Sequence, residues 1–231
     1  GQNEQLYQAI VAIAERNDNL DDTQKKSLSN DIRDFRLAGV ALPEDKKQQF
    51  KKIKARLSQL TTQFAENLLD ATQAWNKHIE NIEELSGIPQ HAIDSAKQAA
   101  EQKDKTGYLL TLEFPCYYAV INYADNAALR QEMYTAYVTR ASDQGPHAGQ
   151  FDNSALIDEI VSLRHQLAQL LGFTNYGERS LATKMANDNQ QVVAFLSDLS
   201  KRCRPQAEKE YQALKTFAEQ EYQQQELAAW D

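Results

Sequence analysis

Glycine and proline are scarce, with 8 Gly and 5 Pro among 231 residues. So few turn formers argue against a sandwich or barrel, and the abundance of Gln, Ala, Leu, Glu and Lys favours helix over sheet. Cysteine is scarcer still. Cys116 and Cys203 lie far apart and lack the paired spacing of metal ligands, which reads as two reduced thiols in a cytosolic protein, without a disulfide. Positive charge is in deficit: 25 Lys and Arg stand against 33 Asp and Glu, a formal charge of −8. An acidic chain lacks the basic patches that nucleic acid and anionic membrane surfaces attract, so neither is expected as a partner. No apolar run approaches the ~20 residues of a membrane span. Internal repeats and low-complexity segments are also missing. With 42% apolar residues there is ample material for a core, and disorder is not the expectation.

What the chain does have is helical periodicity. Two amphipathic helices occupy 126–176, joined by a loop containing Gly145, Pro146 and Gly149. The first carries Leu129, Met133, Tyr137 and Val138 on one side. The second carries Leu156, Ile160, Leu163, Leu167 and Leu170, stepping by four and three so that they share one face. Asp152, Asn153 or Ser154 can cap it, and Gly172 can end it in a left-handed conformation.

Upstream, residues 4–17 carry the stripe Leu6, Tyr7, Ile10, Val11 and Ile13. Asp21-Asp22-Thr23 offers a cap for a second helix ending near Gly39. Leu42-Pro43-Glu44-Asp45 then starts the longest periodic run, in which Phe50, Ile53, Leu57, Leu60, Phe64 and Leu68 form a seam. An antiparallel hairpin within the chain accounts for that seam better than a coiled-coil homodimer. Lys46, Lys47, Lys51, Lys52, Lys54 and Arg56 flank it and read as a solvated face.

Strand signals are few. Residues 108–114, closed by Pro115, form the clearest strand, and 74–80 is the partner chosen for it. A short Ala-rich helix fills 90–102, and the polar run 101–105 is the best internal boundary. Beyond the central pair, Thr174 can cap a short helix through Lys184. A final helical stretch starts at 187–189, where Pro205 should kink or split it. The expected fold is therefore mainly α: a helical bundle with long antiparallel helices and a small antiparallel β-ribbon.

Several segments go further than periodicity. Arg140-Ala141-Ser142-Asp143-Gln144-Gly145-Pro146, Asp152-Asn153-Ser154, Leu163-Arg164-His165 and Leu170-Leu171-Gly172-Phe173 resemble the thimet-oligopeptidase family of zinc peptidases. Ser180-Leu181-Ala182-Thr183-Lys184-Met185-Ala186 and Gly107-Tyr108-Leu109-Leu110-Thr111-Leu112 agree as well. The resemblance covers nearly all 231 residues, in the right order, and matches an interior part of such an enzyme. The start at Gly1-Gln2-Asn3-Glu4 and the end at Ala229-Trp230-Asp231 read as interior cuts. On this resemblance, 1–105 is an N-terminal helical-hairpin region, and 106–231 is the start of the peptidase core.

The family's chemistry needs H-E-x-x-H on a helix, so that both imidazoles meet one metal and the Glu serves as general base. The four histidines here are followed by the wrong residues (His78-Ile79, His91-Ala92, His147-Ala148, His165-Gln166), and no two are four apart. The family's catalytic residues have no counterpart to be carried onto, and no zinc is expected in this chain. Ser142, Asp143 and His147 read as loop hydrogen bonding, not a nucleophilic site, and Cys116 as a buried small hydrophobe. Arg140 and Arg164 lie on or beside apolar helix faces, where an ion pair with Asp143, Asp152 or Glu178 is expected ahead of substrate contact. With Tyr134, Glu178 and Lys184 they form the set of structural or channel-facing candidates.

The resemblance implies a cytoplasmic parent with zinc, acting on short peptides in a deep channel between two largely helical halves. This chain would supply a non-catalytic wall, and the zinc-bearing half lies downstream. A self-contained helical binding module, acting through its apolar faces, is the alternative. Residues 190–231 carry more apolar positions than one face can hide, so self-association is expected there.

Overall fold

The computed structural model describes residues 3–16 and 19–231. Its elements, in order, are α1 (Glu4–Arg16), α2 (Asp22–Leu37), α3 (Glu44–Ala74), β1 (Asn76–Ile79), α4 (Gln90–Glu101), β2 (Tyr108–Thr111), α5 (Phe114–Tyr123), α6 (Ala127–Val138), α7 (Ser154–Leu170), α8 (Tyr176–Leu181) and α9 (Asn189–Tyr222). A 3-10 turn occupies Ile82–Leu85. The protein is mainly α with one two-stranded antiparallel ribbon, as the periodicity predicts. Asn17, the last residue of the first predicted stripe, lies outside the described residues.

Two compact units divide the chain: residues 1–61 with 158–195, and residues 62–157 with 196–231. The boundaries fall inside α3, α7 and α9, whereas the polar run 101–105 lies within the second unit.

In the first unit, Asp21 caps α2 with a full capping box, accepting from the Gln24 backbone while the Gln24 side chain accepts from Asp21 N–H. Gly39, at φ 78°, turns the chain out of α2. The α3 seam then packs within the chain: Phe50 and Ile53 form a buried cluster with Leu167, bordered by Leu42, Leu57, Leu163, Leu170 and Leu171. Further along α3, Arg56 grips Glu159 with two short hydrogen bonds of 2.6 and 2.7 Å. Residue numbers rise along α3 as they fall along α7, so the two helices run antiparallel. Gly172, at φ 85°, ends α7. The cap of α8 is Asn175, whose side chain accepts from Glu178 N–H; the expected cap, Thr174, instead donates its backbone N–H to Glu178.

The second unit holds the larger core. Trp75, Ile79, Leu85, Ile93, Leu110, Leu112, Val120, Leu129 and Met133 are buried together. β1 pairs with β2, Asn76 opposite Thr111 and Ile79 opposite Tyr108, which joins the two predicted strands in shorter form. The predicted strand at 108–114 stops early because Pro115 sits in the first turn of a helix, α5, that the sequence reading did not place. Val138 is a second departure: it is exposed, and the buried face of α6 is Leu129, Met133 and Ala136. Asn153 does not cap α7. It is buried, accepts from Asn67 and donates to the Phe64 carbonyl, while Asp152 receives the Ser154 N–H. Pro205 does not split the last helix, since α9 is continuous over 34 residues.

Candidate functional site

The five candidate residues fall into two local clusters. In the second unit, α6 presents Tyr134 and Tyr137 three residues apart, and Arg140 follows just past the helix end. The Arg140 guanidinium lies 3.5 Å from the Tyr137 ring centre, and Tyr137 stacks on Tyr117 of α5 at 3.7 Å and 12°. Arg140 also donates to the Thr72 hydroxyl at 2.9 Å and to the Tyr137 carbonyl at 2.8 Å. The expected ion pair with Asp143, Asp152 or Glu178 is not there among the described residues. A planar cation can instead be held by ring faces and neutral acceptors, and these are what surround it. Burial pushes the Tyr117 phenol up, Tyr137 and Tyr134 add to the rise, and Arg140 opposes it.

Tyr134 faces a second contact, the Trp230 ring at 5.7 Å. Arg130, one turn before Tyr134, anchors the same segment. It donates to the Trp230 carbonyl at 2.6 Å, to the Ala124 carbonyl at 2.8 Å and to the Asp231 carboxylate at 3.1 Å. Burial pushes the Asp231 carboxyl up, but the Ala228 N–H, Arg130 and Gln224 outweigh it and hold the group below its usual range. These contacts position backbone; they do not aim a reactive group at open space.

In the first unit, Arg164 and Arg179 both lie near the Tyr176 ring, at 5.3 and 5.5 Å. Among the described residues Arg164 takes no carboxylate partner, and an aromatic contact stands where the ion pair was expected. Glu178 is spent on local backbone: it accepts from Thr174 N–H at 2.9 Å and from the Asn175 amide. Lys184 lies beyond α8, exposed, and donates to Ser180 Oγ at 2.8 Å.

Other sequence candidates resolve as loop chemistry. Ser142 donates to the Thr139 carbonyl and accepts from Gln144 N–H, and His147 pairs with Gln150, so Ser142 and His147 do not meet. Cys116 is half-buried, with its thiol pushed up by burial and partly offset by the Thr111 N–H. Residues the sequence did not single out are Tyr117, Arg130 and Arg179, and Tyr137 was read only as part of an apolar face. The Tyr134, Tyr137, Arg140 spacing was a readable signal; Tyr117 was hidden because its helix was not recognised.

No group of three or more His, Cys, Asp or Glu among the described residues is placed to hold a metal ion. Among the described residues, no helix is long and apolar enough to cross a membrane.

The profile of Peptidase family M3 matches residues 120–231. Oligopeptidase A of Salmonella typhimurium is 52% identical over 233 aligned residues, an alignment spanning all of this chain and 34% of that protein. Oligopeptidase A of Escherichia coli is also 52% identical over the same shares. The "probable cytosolic oligopeptidase A" of Arabidopsis thaliana is 37% identical over all of this chain and 34% of its own length. This chain therefore spans about a third of the length of the curated relatives it matches. Residues 120–231 thus match peptidase family M3, and the whole chain is similar to a stretch about a third the length of the oligopeptidase A proteins.

Proposed function

We propose that this chain is an interior, non-catalytic part of a zinc-dependent oligopeptidase, where it serves as helical wall and scaffold for a channel that admits short peptides. The observation that carries the reading is a 52% identity running along the whole chain, combined with the lack of H-E-x-x-H in its sequence. Two rigid clusters support the scaffold role. The Tyr117–Tyr137–Arg140 stack and the Arg130 anchor both lock neighbouring segments without exposing a reactive group. The name of the Arabidopsis relative supports a cytosolic setting.

In this reading, hydrolysis needs the remaining two-thirds of a family protein, which bears the metal ligands. The test is complementation. The chain is mixed with a purified polypeptide carrying the rest of a bacterial oligopeptidase A, and cleavage of a short quenched-fluorescence peptide is followed. The chain alone should release no fluorescence, and the mixture should release it at a rate the second polypeptide cannot reach by itself. Cleavage by this chain alone, abolished by a chelator, would overturn the non-catalytic assignment. A mixture no faster than the second polypeptide by itself would overturn the scaffold role.

A further inference from the structure

The basic run on α3 is a solvated face, with Lys46, Lys51, Lys52, Lys54 and Arg56 exposed, but its members are not equivalent. Lys47 is taken by Glu4 at 3.1 Å and Arg56 by Glu159 at 2.6 Å. Lys51 and Lys54, one turn apart on the same side of α3, have no carboxylate within salt-bridge distance among the described residues. They line an open surface cleft of about 530 Å³ in the first unit, together with Arg179 of α8. Among the described residues Arg179 also lacks a carboxylate partner, and its Nε is fully covered without a hydrogen-bond partner. Buried donors left without a partner are rare. The Tyr176 ring, 5.5 Å from the guanidinium, limits how far it can swing.

The remaining lining decides what would fit. Leu37, Ala38 and the buried Phe50 supply an apolar side, so the cleft is not a bare cluster of charge. Asp34 is the one acid in the lining, and Arg33 already holds it at 2.9 Å. These residues come from the C-terminal end of α2, where cations could serve the helix carbonyls instead. The backbone has answered that need: Ala38, Gly39 and Val40 N–H groups bond the carbonyls of Asp34, Arg36 and Phe35. None of the three cations bonds to them.

We propose that this cleft binds a small organic phosphate, with the dianionic head on Arg179, Lys51 and Lys54 and a short apolar body against Phe50 and Leu37. Three cations against a single engaged carboxylate favour a dianion over a monoanion, and a guanidinium fork matches phosphate oxygens. The assignment does not rest on the peptidase reading, and binding is measured without any activity.

The experiment is titration of the 231-residue chain with phenyl phosphate, inorganic phosphate and benzoate, each at matched ionic strength, by calorimetry and by phosphorus line broadening. Phenyl phosphate should bind tightest, inorganic phosphate more weakly, and benzoate least. Arg179→Gln should weaken phenyl phosphate about tenfold. Lys54→Gln, at an exposed position that cannot unfold the protein, should weaken it about threefold. Asp34→Asn should tighten it, because it removes the like charge from the lining. Inorganic phosphate binding as tightly as phenyl phosphate would overturn the apolar half of the proposal. Benzoate binding as tightly would overturn the dianion. Affinity indifferent to Lys54→Gln and Asp34→Asn would place the ligand elsewhere and sink the assignment.

Discussion

Arg140 shows how a cation is housed without an acid. Its guanidinium lies on Tyr137, which lies on Tyr117, and the one neutral side-chain acceptor it reaches is the buried Thr72. Replacing it with Ala removes a charge-assisted bond to Thr72 and a stacked cation, and leaves the Thr72 hydroxyl without that donor. We expect Arg140→Ala to lower unfolding free energy by about 2 kcal/mol, and Arg140→Lys to recover less than half because an ammonium cannot stack flat on the ring. Urea denaturation of the two variants and of Tyr137→Leu, read as a double-mutant cycle, would measure this coupling. A cycle energy of zero would mean that the stack is incidental packing. The sequence allowed an ion pair here because an Arg beside an apolar helix face usually needs an acidic partner, and Asp143, Asp152 and Glu178 were on offer. What it could not show was that Tyr117 would arrive from a separate helix and occupy the space.

A second residue-scale consequence concerns acid. Hydrogen bonds from Ser154 hold Asp152 below its ordinary value of 3.8, and the Arg56 hydrogen bonds hold Glu159 below 4.5. A carboxyl whose folded pKa is depressed adds stability above its unfolded value and loses that contribution as pH falls through the folded one. The urea midpoint should therefore decline as pH drops from roughly 5 to 3, and Arg56→Gln should make the decline shallower by removing the Glu159 share. Both groups are exposed, so the slope is modest and screened by salt. A midpoint that stays level or rises over this interval would contradict the assignment.

At the scale of elements, periodicity did most of the work where a helix has one buried face. The α3 seam was legible in part: Phe50, Ile53 and Leu60 are buried, Leu57 and Phe64 are half-buried, and Leu68 at its far end is exposed. The ribbon was legible from β2, whose Leu109 and Leu110 are both buried, but its length was not. Pro115 ends a strand and opens a helix with equal ease, and only the packing of Ala119 and Val120 decides for α5. Pro205 left two outcomes open, a kink or a split, and the split does not occur. A proline inside a helix removes one hydrogen bond and crowds the preceding turn, yet α9 runs through it. The strain should persist as a weak point. Pro205→Ala should raise the local stability of α9 by about 1–3 kcal/mol, since the new N–H can donate to the Lys201 carbonyl. Hydrogen exchange of amides around residue 205 would report it as slower opening there. Unchanged exchange would show that α9 already relaxes around the proline without cost.

At the scale of the whole molecule, the unusual feature is how little of α9 is covered. Of its 34 residues only Ala218 is buried, although Leu196, Leu199, Tyr211, Leu214 and Phe217 recur at three- and four-residue steps or their sums. Val193 and Phe195 are exposed as well, at 61% and 65%. A stripe this long on an isolated, stable chain would be paired with something, because each Å² of apolar surface removed from water contributes ~25 cal/mol. The relatives are about three times longer than this chain, so we infer that the rest of a family protein covers the stripe in the intact enzyme. Alone, the chain should dimerise through residues 190–231. Phe195→Glu together with Phe217→Glu changes two exposed positions and should shift sedimentation toward monomer while leaving the helical dichroism intact. Adding the remaining two-thirds of oligopeptidase A should compete with the dimer and protect α9 amides from exchange. A wild-type chain that sediments as monomer at high concentration, with α9 exchange unchanged on mixing, would show that this surface has no partner and that the inference from its exposure is wrong.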